Sequence, residues 1–255
     1  MTTMLRLRQI ALVAKDRDAV VDDFVAVFGL AVGYEDPHIS NIGLHNALMP
    51  IGTQLLEVVA PIVEGITAER YLERRGGDGG YMVITQTDEH ATRRARVDEL
   101  GIRIVGQFDD HGFTNMQLHP RDTGGSFLEI DEQEGGEDPY GPWSPAGPDW
   151  QSAIRTDVVS AITAAEVQCD DPDAVSARWS EIIELAREKT DGAPTIALTN
   201  ATLRFVPIAD GRGEGLGGID LATADVGWVQ AAAARRGLQA TADEVLVGGL
   251  RCYLR

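Results

Sequence analysis

Cysteine, lysine and long apolar runs are all scarce in this chain. Only Cys169 and Cys252 occur in 255 residues. Two thiols are too few for a disulfide framework, and both stand in apolar, strand-like surroundings, so they read as small core side chains. Lys15 and Lys189 are the only lysines; Lys and Arg together number 22 against 40 Asp and Glu, a formal net charge of −18. Such an acidic chain lacks the basic footprint that nucleic acid or an anionic membrane surface requires, so neither is expected as a partner. No apolar run approaches the length needed to span a bilayer, and no charged-then-apolar leader opens the chain. The expectation is a soluble, cytoplasmic protein. Serine-hydrolase chemistry has no support, because no nucleophile-elbow motif is present. Neither Cys has a nearby His to activate it. The glycine-rich run ADGRGEGLGG (209–218) lacks the strand–turn–helix setting of a dinucleotide fingerprint and reads as a flexible loop.

What is present is an ordinary globular composition, 44% hydrophobic and 24% charged, and a pattern that recurs four times. An apolar strand ends in polar or acidic residues, an amphipathic helix follows, and a Gly-hydrophobic turn leads back into short strands. The copies begin at Gln9 (QIALVAKDRDAVVDDFVAVFGL), Tyr81 (YMVITQTDEHATRRARVDELGI), Ala165 (AEVQCDDPDAVSARWSEIIEL) and Gly218 (GIDLATADVGWVQAAAARRGL). A unit of this size cannot bury its own apolar face, so the repeats are expected to pair.

In the first copy a strand over Leu5–Ala14 is followed by a helix capped by Asp16 and ended by Gly29. Its apolar positions Ala19, Val20, Phe24, Val25 and Phe28 fall at helical spacing. Strands are expected near Ala31–Tyr34, Gly43–Met49 and Thr53–Ala60, with a turn at Pro50, Ile51 and Gly52. A short helix over Thr67–Arg75 is closed by Gly76 and Gly77. The second copy predicts a strand over Tyr81–Thr87, a helix from Glu89 to Leu100, and strands near Arg103–Val105, Asn115–His119 and Ser126–Ile130. The stretch from Glu132 to Trp150 has the polar, Gly- and Pro-rich composition of a linker, with Trp143 and Trp150 as candidates to pin it. The expected organisation is an amino-terminal domain over 1–134, a linker over 135–157 and a shorter domain over 158–255.

These units resemble the βαβββ modules of the vicinal oxygen chelate superfamily, which includes glyoxalase I, methylmalonyl-CoA epimerase, extradiol dioxygenases and bleomycin-resistance proteins. The resemblance is strongest over 5–131, where QIALVAKDRDAVVDDFVAVFGL, LLEVVAPI, RYLERRGGDGGYMVI and LHPRDTGGSFLEID follow the superfamily's order. The last of these is similar to the epimerase and glyoxalase branch. The resemblance implies an α+β fold in which four modules pair into two domains with half-barrel mixed sheets, each around a cleft. In metal-dependent members four side chains of the cleft hold a divalent ion, and the matching positions here are Gln9, Glu57, Met82 and Glu129. Three of them are acceptable oxygen donors, but Met82 stands where such members carry His, and a thioether is a soft, weak ligand for a hard ion. The implied cofactor is therefore one weakly held divalent ion (Mg, Mn, Co, Ni or Zn), or none. An Fe(II) extradiol site is disfavoured, because it needs two His and a carboxylate.

The residues themselves leave alternatives open. Glu57 and Glu129 lie between apolar neighbours, where alternation along a strand puts each either in a cleft or in solvent. Met82 reads as cleft packing rather than as a ligand. His45, on GLHNALM, stands near the place from which epimerase-like members present a base, although the register could put Asn46 there instead. His119 in HPRDTGG is either a substrate contact or a turn-stabilising residue, and Arg121 either meets a substrate anion or pairs with an acid. His90 reads as solvated at a helix start. In the second half, Ala164, Arg204, Gly218 or Ile219, and Tyr253 or Cys252 occupy the four matching positions, a set that cannot hold a cation.

Two functions follow as expectations. The resemblance implies a lyase or isomerase of the glyoxalase and epimerase type, moving a proton next to a carbonyl of a small 2-oxo or acyl-CoA-type substrate, with Glu129 and His45 as catalytic candidates. Met82, Asn46, His119 and Arg121 are the substrate-binding candidates. The alternative is a metal-free protein that binds or sequesters a small molecule without catalysis, as resistance-type members do. A small-molecule ligand is the expected partner, and the chain is expected as a monomer or homodimer.

Overall fold

The computed structural model describes residues 4–255. Among them are fourteen strands and six α-helices. The strands form two seven-stranded mixed sheets, in the orders β2-β3-β1-β4-β7-β6-β5 and β13-β14-β12-β8-β11-β10-β9. The first is drawn from residues 5–133 and the second from 159–254, which is the α+β architecture expected.

The elements follow from local chemistry. In the first module β1 (Leu5–Val13) leads into α1 (Arg17–Phe28), whose N-terminus is capped by the Asp16 carboxylate accepting from Ala19 N at 3.1 Å. The helix ends at Gly29 in the left-handed conformation, the usual C-terminal stop. β2 (Leu44–Ile51) and β3 (Gln54–Pro61) form an antiparallel hairpin, and α2 (Thr67–Arg75) closes on Gly76. Two expectations need correction here. Pro50 and Ile51 belong to β2 rather than to the turn, which β2 tolerates because it is an edge strand. The strand expected at Ala31–Tyr34 is reduced to a single bridge, Tyr34 with Leu48.

The second module is complete: β4 (Gly79–Thr87), α3 (His90–Glu99), β5 (Ile104–Asp110), β6 (Phe113–Leu118), a four-residue α4 (Pro120–Thr123) and β7 (Phe127–Gln133). β5 and β6 join through His111 and Gly112, both at positive φ, as a tight hairpin turn demands. The third module is likewise complete, with β8 (Val159–Cys169), α5 (Pro172–Ile183), β9 (Arg187–Thr190), β10 (Ala193–Ala197) and β11 (Thr202–Pro207). The fourth has β12 (Gly215–Thr223), α6 (Val226–Arg236), β13 (Glu244–Val247) and β14 (Leu250–Leu254), and its remaining strand is again only a bridge, Ala240 with Val245. Asp171 and Asp225 cap α5 and α6 as Asp16 caps α1.

The chain divides into two compact units. One takes the chain through Arg8 with Tyr81–Ser144 and Ala164–Leu216; the other takes Gln9–Gly80, Pro145–Thr163 and Gly217–Arg255. In the first unit α3 packs on α5, and Trp179 meets Phe205 edge-on at 5.5 Å. Its loops are braced: Glu214 accepts from Gly125 N and Asp170 N, and Asp210 accepts from Gln168 and Arg212. Burial opposes ionisation of Asp210, yet those hydrogen bonds bring its pKa down to about 2. In the second unit α1 packs on α6 and β13.

The segment after β7 is fastened rather than loose. Arg6 donates to the carbonyls of Gly136 and Glu137, and Arg8 donates to Pro139 O at 2.7 Å and stacks over Trp143. Trp143 meets the Phe113 ring edge-on, and both it and Trp150 are 1% exposed. Both cysteines are buried and free, as core residues should be; burial pushes Cys169 up to about 12. No helix among the described residues is long and apolar enough to cross a membrane.

Candidate functional site

Residues opposed in register project from the same face of a sheet, so the strand pairings decide which side chains can meet. In the second unit β1 and β3 run parallel with Gln9 opposite Leu55 and Ala11 opposite Glu57. β2 places Leu48 opposite Glu57 and Asn46 opposite Val59. Gln9, Glu57 and Asn46 therefore share a face, and they meet. Gln9 Nε2 donates to Glu57 Oε2 at 2.8 Å, and Asn46 Nδ2 donates to Glu57 Oε1 at 2.7 Å. All three are buried. Asn46 is held in turn by Asp36 N, which donates to its Oδ1 at 2.9 Å, and by Arg17, which donates to its carbonyl.

His45 is opposite Ala60 and so lies on the other face of the hairpin. The expectation of His45 as a base beside these residues is corrected: strand alternation gives that place to Asn46.

In the first unit the same registers recur. β4 and β7 run parallel with Met82 opposite Phe127 and Ile84 opposite Glu129, while β6 places Gln117 opposite Glu129 and Asn115 opposite Asp131. Met82 and Glu129 share a face and are buried, Glu129 being 5% exposed. Asn115 Nδ2 donates to Glu129 Oε1 at 2.9 Å, but Glu129 Oε2 has no hydrogen-bond partner. Burial raises the Glu129 pKa, partly offset by the polar side chains of Asn115, Gln117 and Asp131.

Asp131 was not among the expected site residues. It lies two positions along β7 from Glu129, on the same face, with no exposure, no amide or guanidinium donor at either carboxyl oxygen, and Glu129 as its interacting side chain. Its lateral neighbours cannot help. Asn115 directs its N–H at Glu129, and the Gln86 amide accepts from Arg6 and donates to Gly136 O. Burial, reinforced by the charge of Glu129, raises the Asp131 pKa well above the usual carboxylate range. The alternation in FLEID, acid–apolar–acid, is the signal that could have found it.

The remaining candidates fall elsewhere. His119 caps α4, its Nδ1 accepting from Arg121 N at 3.1 Å, which is the turn-stabilising role. Arg121 is exposed. His90 is buried rather than solvated, with no partner for Nε2, and burial lowers its pKa. In the second sheet Glu166 is opposite Arg204, Gly218 opposite Arg251 and Asp220 opposite Tyr253. These registers select Gly218 and Tyr253 over Ile219 and Cys252 as the counterparts of Met82 and Glu129. Arg204, at the place of Glu57, donates to the Glu166 carboxylate at 3.0 Å.

A divalent ion needs several oxygen or nitrogen lone pairs converging on one point. Here each Glu57 oxygen already accepts an amide N–H, and Gln9 turns toward that carboxylate the nitrogen that cannot ligate a cation. Met82 offers a thioether, and burial favours the neutral form of Glu129. Among the described residues no group of three or more His, Cys, Asp or Glu could hold a metal ion. As arranged, Gln9, Glu57 and Glu129 do not fit the divalent ion that the resemblance implied.

No protein-family model matches the chain, and no curated protein matches it. Solved structures do. A hypothetical protein from Staphylococcus aureus aligns over 99% of both chains with a TM-score of 0.65 and 14% identity. Methylmalonyl-CoA epimerase from Mycobacterium tuberculosis aligns with 52% of this chain and 91% of its own, at 22% identity and a TM-score of 0.45. A Streptomyces coelicolor methylmalonyl-CoA epimerase in complex with 2-nitronate-propionyl-CoA covers 52% and 99%, at 20% identity and a TM-score of 0.46. At these identities the likeness is one of fold. With its two seven-stranded mixed sheets and βα-type modules, the chain has a two-sheet, glyoxalase-like α+β fold.

Proposed function

We propose that this chain is a glyoxalase-like enzyme of the lyase or isomerase class, moving a proton next to a carbonyl of a small 2-oxo or acyl-CoA-type substrate. One observation carries the reading: Glu129 is a buried carboxyl with a raised pKa, held by the Asn115 amide at one oxygen and interacting with a second buried carboxyl, Asp131. A carboxyl whose pKa is raised by burial holds a proton to a higher pH than an ordinary glutamate and is a stronger base once ionised. Glu129 is the proton-transfer residue of the proposal, and Met82, on the same face, is the apolar wall beside it. Asn46 is assigned to holding Glu57, and Arg121 to meeting a substrate anion at the surface. The proposal takes 1–134 and 158–255 as the two halves, joined by 135–157, with the chemistry in the first.

The mechanism needs only this chain's residues. The Glu129 carboxylate removes the proton from the carbon next to the carbonyl and holds it as the acid. It then returns the proton on its own face to the same carbon or to the adjacent oxygen; inversion at that carbon needs a second proton donor on the opposite face. Polar groups such as the Asn115 amide, which already donates to Glu129, keep the carboxyl oriented while its charge changes.

A second reading is a binding protein without catalysis. It is favoured by the commitment of Glu57, Gln9 and Asn46 to one another, which leaves that face a finished polar surface. Deuterium exchange separates the two. Acyl-CoA thioesters and 2-oxo acids are incubated with the full chain in D₂O and followed by NMR for loss of the proton next to the carbonyl. Exchange that falls about 10²- to 10⁴-fold in Glu129→Gln supports the enzyme reading. Binding of these compounds without exchange, or exchange that survives Glu129→Gln, overturns it.

A further inference from the structure

The Glu57 side of the site carries an inference about how the first half works, resting on the reading of that half as the functional one. We propose that Gln9, Asn46 and Glu57 form a closed, ion-free triad in which two amide N–H groups serve the carboxylate as a cation would. Asn46 is its positioning residue.

The orientation of Asn46 does not depend on choosing between amide oxygen and nitrogen. Asp36 N is a backbone donor, so the atom it reaches must be the Asn46 oxygen. The Asn46 nitrogen is thereby directed at Glu57 Oε1. Arg17 holds the backbone of the same residue from the other side by donating to its carbonyl, and Arg17 itself pairs with Asp18 and Glu35. Gln9 supplies the second N–H to Glu57 Oε2. Each carboxylate oxygen thus receives one charge-assisted bond from a fixed donor. A cation placed against Glu57 would have to displace both amides and would then face their N–H hydrogens.

The experiment reads thermal unfolding, so its outcome does not depend on substrate or turnover. The full chain, stripped with EDTA, is titrated with MnCl₂, CoCl₂, NiCl₂ or ZnCl₂. The expected Tm is unchanged at every ion concentration; a saturable rise in Tm overturns the proposal, because a ligand that binds the native state must stabilise it. The double variant Gln9→Glu/Asn46→Asp replaces both donors by carboxylates. It is expected to lose several degrees of Tm in EDTA through like-charge repulsion and to regain them with Mn²⁺. An unchanged Tm in EDTA would mean that the amides are not serving Glu57, and would overturn the triad. If the double variant does not fold, Asn46→Asp alone is read in the same way, and the wild-type titration stands by itself. Failure of the exchange assay above leaves these outcomes untouched.

Discussion

Glu57 and Glu129 stand at equivalent places in the first two modules. Each lies on the strand parallel to its module's first strand, and each takes a hydrogen bond from an asparagine one step along on the neighbouring antiparallel strand: Asn46 opposite Val59, and Asn115 opposite Asp131. Their surroundings then diverge at two positions. Gln9 in the first module is Met82 in the second, and Val59 is Asp131. The first exchange removes a donor and the second adds an acid. One glutamate therefore has a donor for each oxygen, while the other keeps a bare oxygen beside a second buried carboxyl. A shared backbone position sets where a carboxyl sits; the residues one strand over set its chemistry.

The largest effect expected from this difference is on activity. Glu129→Gln should lower proton exchange about 10²- to 10⁴-fold, the usual worth of a positioned acid or base, while Glu57→Gln should lower it less than about tenfold. Equal losses in the two variants, measured under the same conditions, would show that the divergent surroundings have no functional meaning.

Stability gives the next comparison. Asn46→Leu leaves a buried carboxylate oxygen without its donor, at a cost of about 1–3 kcal/mol. Urea unfolding should show a lower midpoint with an unchanged slope. Asn115→Leu should cost less, because burial opposes ionisation of Glu129 and a carboxyl that holds its proton depends less on a donor. A larger loss in Asn115→Leu than in Asn46→Leu would show that Glu129 depends more on its asparagine than Glu57 does.

Much of this architecture was legible in the chain. Asp16 with Gly29, and Gly76 after TAERYLERR, bound α1 and α2 where expected, because capping is a local interaction. The resemblance singled out Gln9 and Glu57, and the structure brings those two side chains into contact. Local rules failed where register decides. His45 and Asn46 are adjacent, and only pairing with β3 shows which one faces Glu57. The segment carrying Trp143 and Trp150 has the composition of a linker, yet buried arginines and aromatic rings fasten it, contacts formed with residues far away in sequence. Asp131 was overlooked although its spacing from Glu129 places both on one face.

The pH dependence of stability tests that missed residue. An unfolded aspartate titrates near 3.9, whereas folded Asp131 holds its proton to a higher pH. Between these two values the unfolded chain has released the proton and the native chain has not, so the native state binds more protons and its stability falls as pH rises. The contribution is complete below about pH 4 and is lost as pH climbs through the folded pKa. Asp131→Asn removes the titration. Its Tm should equal or exceed that of the wild type at neutral pH and should lack this decline. A parallel pair of Tm–pH curves would show that Asp131 is not held neutral.

The smallest effect is the sharpest test of the comparison itself. Met82→Gln places in the second module the donor that Gln9 provides in the first. The two side chains have similar length, so the change in stability should stay within about 1.5 kcal/mol. The new N–H, directed at the bare Glu129 oxygen, would favour the ionised form and oppose the effect of burial. The pH at which Glu129 loses its proton should therefore move down, and the pH profile of proton exchange should move with it. The reciprocal change, Gln9→Met, takes a donor from Glu57 and should leave that profile where it is. If Met82→Gln leaves the profile unmoved while Gln9→Met shifts it, then Glu57 rather than Glu129 is the proton-transfer residue, and the roles of the two modules are exchanged.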